Sequence, residues 1–271
     1  MLLRCPKCFE ALEKHDHVYK CPNGHSYDIA REGYVNLMLA NQKHSKEPGD
    51  SKESLRSRQS FLEKGYYAPL AQALTASINS TLDNGTCFLD AGCGTGYYLK
   101  AVSSGARDIE YYATDIAKSG VAMTAKANRQ AICFVGNVFH LPLADSSLDG
   151  LMSVFCPYSG EEFLRVIKPG GYVWAVTPGA RHLYEIKELV YDQPYLNEEN
   201  GYDMPGFSLY DSFKVTYEMD LKTNEDINTL WKMTPYYHTT SMNDNEKVLS
   251  LDSLKSTADF LVSVYRKEEA Q

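Results

Sequence analysis

The stretch that decides the fold lies a third of the way along the chain, where residues 88–96 read FLDAGCGTG. This run passes from a short apolar segment into a glycine-rich turn, and a helical pattern starts at Tyr97. Glycine at such a turn lets the backbone approach a bound ligand closely. The spacing is neither the G-x-G-x-x-G of dinucleotide-binding proteins nor the G-K-[ST] of a P-loop. The pattern therefore predicts the first strand, ligand-binding turn and helix of a doubly wound α/β domain.

Polar residues around this turn indicate what kind of ligand binds. Asp90 precedes the glycines, where a carboxylate favours a positive group over a pyrophosphate, and S-adenosylmethionine carries an amino group and a sulfonium. Asp115 ends the next strand candidate, where a carboxylate accepts ribose hydroxyls in doubly wound sheets. Asn137 follows the third strand candidate, where an adenine contact is expected. We predict an S-adenosylmethionine site that includes Asp90, Gly92, Gly94, Asp115 and Asn137. A nicotinamide enzyme, a ligand-free Rossmann-like domain and a helix-capping role for either aspartate are the alternatives.

Short β-rich runs alternate with helix-sized segments over the rest of the chain. Alternation at this spacing is typical of βαβ units and a parallel sheet. The strand candidates are residues 87–89, 109–113, 132–135, 148–154, 172–176 and 260–265. We expect the last of them to close the sheet at an edge. Helices are expected over residues 117–128 and 159–167, and residues 202–245 show no clear pattern.

The composition excludes several classes of protein. Among 271 residues, 27 are Lys or Arg and 35 are Asp or Glu, so the formal charge is −8. This acidity argues against nucleic-acid binding by global charge, but not against a local basic groove. No apolar run approaches the ~18 residues that span a bilayer, and the first residues lack the apolar core of a secretory signal. We therefore expect a cytoplasmic protein without a membrane partner.

Three of the seven cysteines fall within the first 21 residues. With one histidine they form C-x2-C, twelve intervening residues and C-x3-H, as Cys5, Cys8, Cys21 and His25. Each pair sits on a tight turn, so its two ligands can converge on one ion, and thiolates with an imidazole suit tetrahedral zinc. Because all four positions are protein ligands, we predict a structural zinc; a chance cluster of buried cysteines is the alternative. His15 and His17 are rival ligands that we expect to be solvated.

We expect three zones along the chain. They are a zinc-binding module over residues 1–35, a linker and helical segment over residues 36–84, and the α/β domain over residues 85–271. The helical pattern extends over residues 51–82, after the helix-breaking residues 47–50.

The densest basic run of this acidic chain lies at the start of that helical segment. Its cations are Lys43, Lys46, Lys52, Arg56 and Arg58. The run is either a local track for phosphates or an ordinary solvated face. On the zinc module, the rings available for stacking on unpaired bases are Phe9, Tyr19 and Tyr27, with Lys7 and Arg31 nearby.

Further blocks of sequence carry a resemblance to a known family. Residues 27–37 read YDIAREGYVNL, residues 48–51 read PGDS, residues 168–171 read KPGG and residues 177–183 read TPGARHL. With the zinc pattern and the glycine turn, they resemble the bacterial 23S rRNA (guanine-N1)-methyltransferases, the rRNA large subunit methyltransferase A family. The resemblance covers nearly the whole chain. Generic class I methyltransferases lack the blocks at residues 32–37, 48–51 and 177–183.

The resemblance implies a class I, Rossmann-like S-adenosylmethionine-dependent methyltransferase domain, a small N-terminal zinc-binding domain that helps to recognise RNA, and often a homodimer. It implies the four zinc ligands already named, and it implies cofactor contacts by Tyr67, Gly94, Thr95 and His182. The sequence departs from the family at Thr95, where an acidic residue is frequent. It also departs at residues 156–158, where Cys-Pro-Tyr replaces small-Pro-Cys in the loop that receives a target base.

The implied reaction is methyl transfer from S-adenosylmethionine to N1 of one guanine in a 23S rRNA hairpin. That nitrogen carries a proton and lies on the pairing edge, so the base must be unpaired or flipped out, and a general base is expected. Asp50, His140 and His182 are candidate bases by residue type. A small-molecule methyltransferase would instead have a closed apolar acceptor pocket without a basic rim. A non-catalytic RNA-binding or ribosome-assembly protein would have no cofactor affinity.

Overall fold

The computed structural model describes residues 2–42, 48–105, 107–199 and 201–269. The N-terminal module contains a small antiparallel sheet. Its strands are β1 (Glu13–His15), β2 (Val18–Lys20) and β3 (Ser26–Asp28), paired in that order. Lys43 and Lys46 of the expected basic run lie outside the described residues.

A second sheet of eight strands forms the centre of the molecule. Its strands are β4 (Tyr34–Asn36), β5 (Thr86–Ala91), β6 (Ile109–Asp115), β7 (Ile132–Val135), β8 (Leu148–Val154), β9 (Ile167–Pro178), β10 (Phe207–Leu221) and β11 (Leu254–Lys267). The spatial order is β10-β11-β9-β8-β5-β6-β7-β4. The strands from β9 to β4 run parallel, and β11 is antiparallel to both of its neighbours. The expected parallel sheet is confirmed.

The expectation that the last strand closes the sheet at an edge is wrong. β11 lies between β9 and β10, and the edge strand is the 15-residue β10. Burial explains the difference, because most side chains of β11 are buried, as in a strand covered on both sides. In β10, residues 208–212 are exposed, and later residues alternate between exposed side chains and half-buried or, at Met219 and Leu221, buried ones, which is typical of an edge strand with one face on the core.

Helices cover both faces of the central sheet. In chain order they are α1 (Lys52–Glu63), α2 (Ala68–Thr81), α3 (Tyr97–Val102), α4 (Lys118–Ala127), α5 (Gly160–Val166), α6 (Tyr184–Val190), α7 (Asn224–Lys232) and α8 (Met242–Leu249), with short 3₁₀ helices at Ala40–Gln42 and Pro235–His238. The helical pattern of residues 51–82 is interrupted at Gly65, whose φ of +84° ends α1. The Ser51 hydroxyl caps α1 by accepting a hydrogen bond from the Ser54 N–H at 3.1 Å.

Two hydrophobic cores lie on opposite faces of the sheet. The larger one joins Phe61, Leu74 and Trp231 of the helices to the sheet residue Trp174. The other core belongs partly to the N-terminal module. There Leu3, Leu12 and Tyr19 are buried with sheet residues Phe134 and Leu151. Each fully buried side chain of this size contributes ~1.5–3 kcal/mol.

The N-terminal module therefore packs directly on the sheet. Backbone hydrogen bonds strengthen the contact, because the Arg4 N–H donates to the Pro142 carbonyl at 2.8 Å and the Ala144 N–H donates to the Leu2 carbonyl at 3.0 Å. Tyr19, expected among the rings available for stacking, is 5% exposed and belongs to this core, so that expectation is wrong for Tyr19. Within the described ranges, no helix is both long and apolar enough to cross a membrane.

Candidate cofactor cavity and metal centre

A cavity of about 320 Å³ opens at the carboxyl ends of β5, β6, β7 and β8. Open α/β sheets bind ligands at this position, where neighbouring connections diverge. The structure brings seven of the eight expected cofactor residues to its wall. They are Tyr67, Asp90, Gly92, Gly94, Thr95, Asp115 and Asn137.

The three glycines of the turn serve different purposes. A Cβ at Gly92 would collide with the Sγ atom of Cys156, so this glycine permits close packing against the chain that follows β8. A Cβ at Gly96 would come within 2.9 Å of the Cα atom of Thr124, so this glycine lets the start of α3 contact α4. A Cβ at Gly94 would meet nothing within 4 Å. Gly94 is therefore the glycine whose missing side chain leaves room for a ligand.

The Asp115 carboxylate is held by two backbone segments, the glycine turn and the start of the connection from β6 to α4. Its carboxylate accepts hydrogen bonds from the Gly94 N–H at 2.9 Å and from the Ala117 N–H at 2.8 Å. Burial raises the pKa of Asp115, and these two hydrogen bonds oppose the rise. The carboxylate is thus fixed in position, and each oxygen keeps a second lone pair for a ligand.

Asp90 has no comparable support. Its side chain is 3% exposed, and burial together with the charge of Asp115 raises its pKa to about 8. A buried carboxylate of this kind is ionised readily only when a cation comes beside it. The arrangement fits a ligand with an ammonium group.

Two further wall residues present polar groups. Tyr67 is buried between Phe61 and Phe260, with ring centroids 5.2 and 4.9 Å away and near-perpendicular rings. The Asn137 side-chain oxygen accepts a hydrogen bond from the Phe139 N–H at 3.0 Å. Both contacts fix the orientation of the side chain at the cavity wall.

His182, the eighth expected cofactor residue, is not on this wall. It lies beside it in an aromatic cluster, with its ring centroid 4.8 Å from that of Phe260 and 6.3 Å from that of Phe155. Burial lowers its pKa to about 4, so the ring is neutral at pH 7. Its Nδ1 accepts a hydrogen bond from the Asp259 N–H at 3.3 Å. The proton of the neutral ring is therefore on Nε2.

Three residues that line the cavity, two aromatic and one cationic, could not be predicted from any pattern in the sequence. Phe139 is 46% exposed and Phe155 is 37% exposed, and both line the cavity. Phe155 has a φ of +52°, a left-handed conformation that bulky residues rarely adopt. Arg58 also lines the cavity and donates a hydrogen bond to Asp50 at 2.9 Å. Arg58 is thereby separated from the basic run in which it was expected.

The four expected metal ligands form a cluster in the N-terminal module. All of their ligand atoms lie within 4.8 Å of one another. His25 Nδ1 is 3.5, 3.5 and 3.4 Å from the sulfurs of Cys5, Cys8 and Cys21, and the sulfurs of Cys8 and Cys21 are 3.7 Å apart. A tetrahedral zinc would place sulfurs ~3.8 Å apart and nitrogen ~3.6 Å from sulfur. The residues therefore fit zinc, and the cluster found among the described residues does not include His15 or His17.

Tyr27 supports the metal centre from outside the ligand set. Its hydroxyl lies 3.1 Å from the Cys5 sulfur. Burial raises the pKa of Cys5, but the hydrogen bonds from Tyr27 and from the backbone N–H groups of Lys7 and Cys8 outweigh burial and bring the pKa to about 6. Cys5 is thus prepared for binding as a thiolate. The Tyr27 hydroxyl is therefore engaged at the metal centre.

A groove of about 700 Å³ leads away from the cavity between α1, α4 and the residues that follow the zinc module. Gly49, Asp50 and Ile116 line both spaces, so the two meet there. Four exposed cations line the groove, namely Lys52, Arg56, Lys118 and Lys126. A smaller recess beside it is lined by Arg31, Glu32, Lys126 and Arg129. The acidic chain thus concentrates basic side chains along one path.

The glycine turn, the carboxylates at the ends of β5 and β6, and the parallel sheet with β11 inserted antiparallel define a class I S-adenosylmethionine-dependent methyltransferase. The crystal structure of BH2331 from Bacillus halodurans C-125, a candidate methyltransferase, has the same fold. Its TM-score is 0.50 at 15% identity, over 72% of this chain and 98% of that one. A family model for a methyltransferase domain matches residues 89–175.

The N-terminal module narrows this class to one family. The zinc-ribbon model described as RlmA, N-terminal, matches residues 3–46. The 23S rRNA (guanine(748)-N(1))-methyltransferase of Streptomyces fradiae is 35% identical over 191 residues, which are 69% of this chain and 67% of that protein. YxjB of Bacillus subtilis (strain 168), a candidate 23S rRNA (guanine-N(1)-)-methyltransferase, is 27% identical over 97% of this chain and 95% of its own length. The chain belongs to the 23S rRNA (guanine-N1)-methyltransferase family.

Proposed function

We propose that this protein transfers a methyl group from S-adenosylmethionine to N1 of one guanine in a hairpin of 23S ribosomal RNA. The observation that carries the proposal is the junction between the cofactor cavity and the groove of exposed cations. A small-molecule methyltransferase would need a closed apolar acceptor pocket, whereas this cavity opens into a basic groove. A non-catalytic protein would have no need of a cavity lined by Asp90 and Asp115.

The residues of the cavity fit the cofactor group by group. We assign the ribose hydroxyls to Asp115, whose free lone pairs accept hydrogen bonds, and the amino group to Asp90, whose buried carboxylate gains a cation. Asn137 lies two residues after β7, where the adenine would bind, and Gly94, Thr95 and Tyr67 complete the wall. When bound, the cofactor supplies an electrophilic methyl group. The protein holds donor and acceptor in line, which contributes much of the rate.

The groove suits the RNA backbone. Among the described residues, Lys52, Arg56, Lys118 and Lys126 make no ion pair with an acidic side chain, whereas Lys214, Lys247 and Lys255 all do. Unpaired cations in a row are what a run of phosphates requires. We assign the groove to the strand that leads to the target base. Arg31 and Arg129 would extend the track toward the zinc module.

We also propose the domain boundaries 1–35, 36–84 and 85–271, with the first domain taking part in RNA recognition. A homodimer and a cytoplasmic location complete the proposal. The exposed edge strand β10 supports self-association, since Leu209 and Tyr210 are 61% and 57% exposed on it and edge strands offer unpaired backbone groups.

One experiment tests the function directly. The purified protein is incubated with unmodified 23S rRNA and labelled S-adenosylmethionine, and the methylated base is then mapped by reverse transcription. N1 methylation blocks base pairing, so we expect a cofactor-dependent stop one nucleotide before a single guanine. Label without a stop would mean methylation at another atom, and no label on rRNA or its hairpin fragments would refute the proposal.

A further inference from the structure

The structure distinguishes between the three candidate bases, Asp50, His140 and His182, by their positions relative to the cavity and the groove. His182 is buried beside the cavity, and its Nδ1 already accepts a hydrogen bond from the Asp259 N–H. His140 is exposed and is not among the residues that line the cavity or the groove. Asp50 lines both. It is therefore the candidate that stands where a base entering along the groove would meet the cofactor.

The backbone that carries Asp50 is fixed by close packing. Gly49 precedes it with a φ of +81°, and a Cβ at Gly49 would come within 2.9 Å of side-chain atoms of both Ile116 and Ala117. This part of the chain is thus pressed against the connection between β6 and α4. Ser51 follows as the cap of α1. Both neighbours hold Asp50 at the junction of cavity and groove.

Arg58 completes a pair with Asp50. It lies two turns into α1, lines the cavity, and its Nη2 donates to Asp50 Oδ2 at 2.9 Å. The pair is partly open to solvent, with side-chain exposures of 27% for Arg58 and 45% for Asp50. One acceptor and one donor group therefore stand side by side at the mouth of the cavity.

This pattern complements the pairing edge of guanine. That edge presents an acceptor at O6 and donors at N1 and N2, while an ionised carboxylate only accepts hydrogen bonds and a guanidinium only donates them. We propose that Asp50 is the general base that removes the N1 proton, and that Arg58 stabilises the negative charge that develops on O6. The inference rests on the proposed function and assigns two residues of the same site.

The step balances as a simple transfer. The N1–H bond breaks and its proton passes to the Asp50 carboxylate, while the electron pair stays on the guanine. That pair forms the new N1–carbon bond, the sulfur–carbon bond of the sulfonium breaks, and its electrons return to sulfur as a neutral thioether. Asp50 then releases the proton to solvent. No oxidant, reductant or further reactant is needed.

Other charged groups around Asp50 define its electrostatic surroundings. Those lining the same cavity and groove are Glu32, Lys52, Arg56 and Arg58, Asp90 of β5, Asp115 of β6, and Lys118 and Lys126 of α4. A substitution at Asp50 changes the total charge of this surface as well as the chemistry. The control must therefore remove the same charge nearby.

The test compares Asp50→Asn with Glu53→Gln in the full-length, zinc-loaded protein. Glu53 is an exposed acid in the first turn of α1, three residues away, and it is absent from the lining of both spaces. Single-turnover methylation of the rRNA hairpin is measured across a range of pH, together with the Kd for cofactor and for RNA. Thermal melting checks that both variants are folded.

We expect Asp50→Asn to slow the single-turnover rate by about 100-fold or more, as loss of a general base does, with both affinities like those of Glu53→Gln. The residual rate should rise about tenfold per pH unit, because the guanine must then lose its N1 proton to water, and the wild type should show a plateau. Rates within threefold of Glu53→Gln at every pH, or a loss fully explained by weaker cofactor binding, would overturn the assignment. A wild-type enzyme that makes no N1-methylguanine would instead refute the proposed function, and the inference with it.

Discussion

Asp90 is almost fully buried in the cavity wall, and its pKa of about 8 means that the folded protein holds a proton there which the unfolded chain releases near pH 4. Between pH 4 and pH 8 the unfolded state therefore binds fewer protons than the folded state. The free energy of unfolding of the ligand-free protein falls as pH rises through that window. The buried Asp90 carboxyl therefore lowers the free energy of unfolding of the ligand-free protein as it ionises, and a cation bound beside it would offset that loss.

The first prediction follows from this decrease in the free energy of unfolding with rising pH. Asp90→Asn should raise the stability of the ligand-free protein at pH 8, by on the order of 1–3 kcal/mol, and remove part of the decline between pH 4 and pH 8. The same change should weaken S-adenosylmethionine binding tenfold or more, because a charge-assisted hydrogen bond is removed. Denaturant titrations at several pH values and calorimetry measure the two effects. A variant that is both less stable and equally able to bind would contradict the assignment.

A second residue-scale prediction concerns Gly94, where a new side chain would enter open space at a φ of +50°. Gly94→Val should lower cofactor affinity at least tenfold by filling that space. Gly85→Val is the matched control, since Gly85 also has a positive φ of +79° and nothing within 4 Å of an added Cβ, but it lies in the turn before β5, outside the cavity. The two variants should lose similar stability. Equal cofactor affinity in both would show that the glycine turn does not contact the ligand.

At the scale of elements, the strands from β5 to β9 could be predicted because their side chains are apolar and their spacing is regular. The position of β11 could not be predicted, because its pairing partner β10 lies within residues 202–245, which lack a clear periodicity. β4 could not be predicted for another reason. It has only three residues, and it pairs with β7 about 100 residues further along the chain, a contact that no local pattern records.

The residues of the cofactor cavity likewise divide into those that could be predicted from the sequence and those that could not. Asp90, Asp115 and Asn137 could be placed because each lies at or just beyond the carboxyl end of a parallel strand, and these ends meet at one edge of the sheet. Phe155, Phe139 and Arg58 could not, because loop conformation and helix packing decide which way they face. His182 follows β9 as expected, yet the Phe155 and Phe260 rings pack around it beside the cavity wall.

The zinc ribbon yields the third prediction. Cys21→Ala should abolish the stoichiometric zinc, expected at one per chain, and unfold the N-terminal module, since metal binding and folding are coupled in such modules. Because Leu3, Leu12 and Tyr19 belong to a core shared with the sheet, melting of the whole protein should begin at a lower temperature. Cys87→Ala is the control, as Cys87 lies outside the metal cluster. Wild-type protein purified without chelator and found free of zinc would refute the metal site.

At the scale of the whole molecule, a net charge of −8 makes long-range attraction to RNA weak, so binding depends on the groove. The double variant Arg56→Ala/Lys126→Ala should weaken hairpin binding and reduce the slope of log affinity against log salt by roughly 0.7–0.9 for each phosphate that is no longer neutralised. Cofactor affinity should not change. Lys222→Ala/Lys255→Ala removes the same charge from residues that are ion-paired with Asp220 and Glu218. If both double variants gave the wild-type slope, the groove would be only a solvated face.

The placement of β11 also determines how long a newly synthesised chain exposes unpaired strand edges to neighbouring chains. β9 is translated about 75 residues before β11 begins, which at ~5–20 residues per second is roughly 4–15 s. Throughout that interval β9 presents an unpaired edge. Once Leu221 has been added, β10 has also been made but has no strand to join. Ribosomes that follow one another on the same message therefore expose matching edges side by side. Both edges are paired only when β11 has been made and has inserted between β9 and β10. Aggregation through these edges is then prevented.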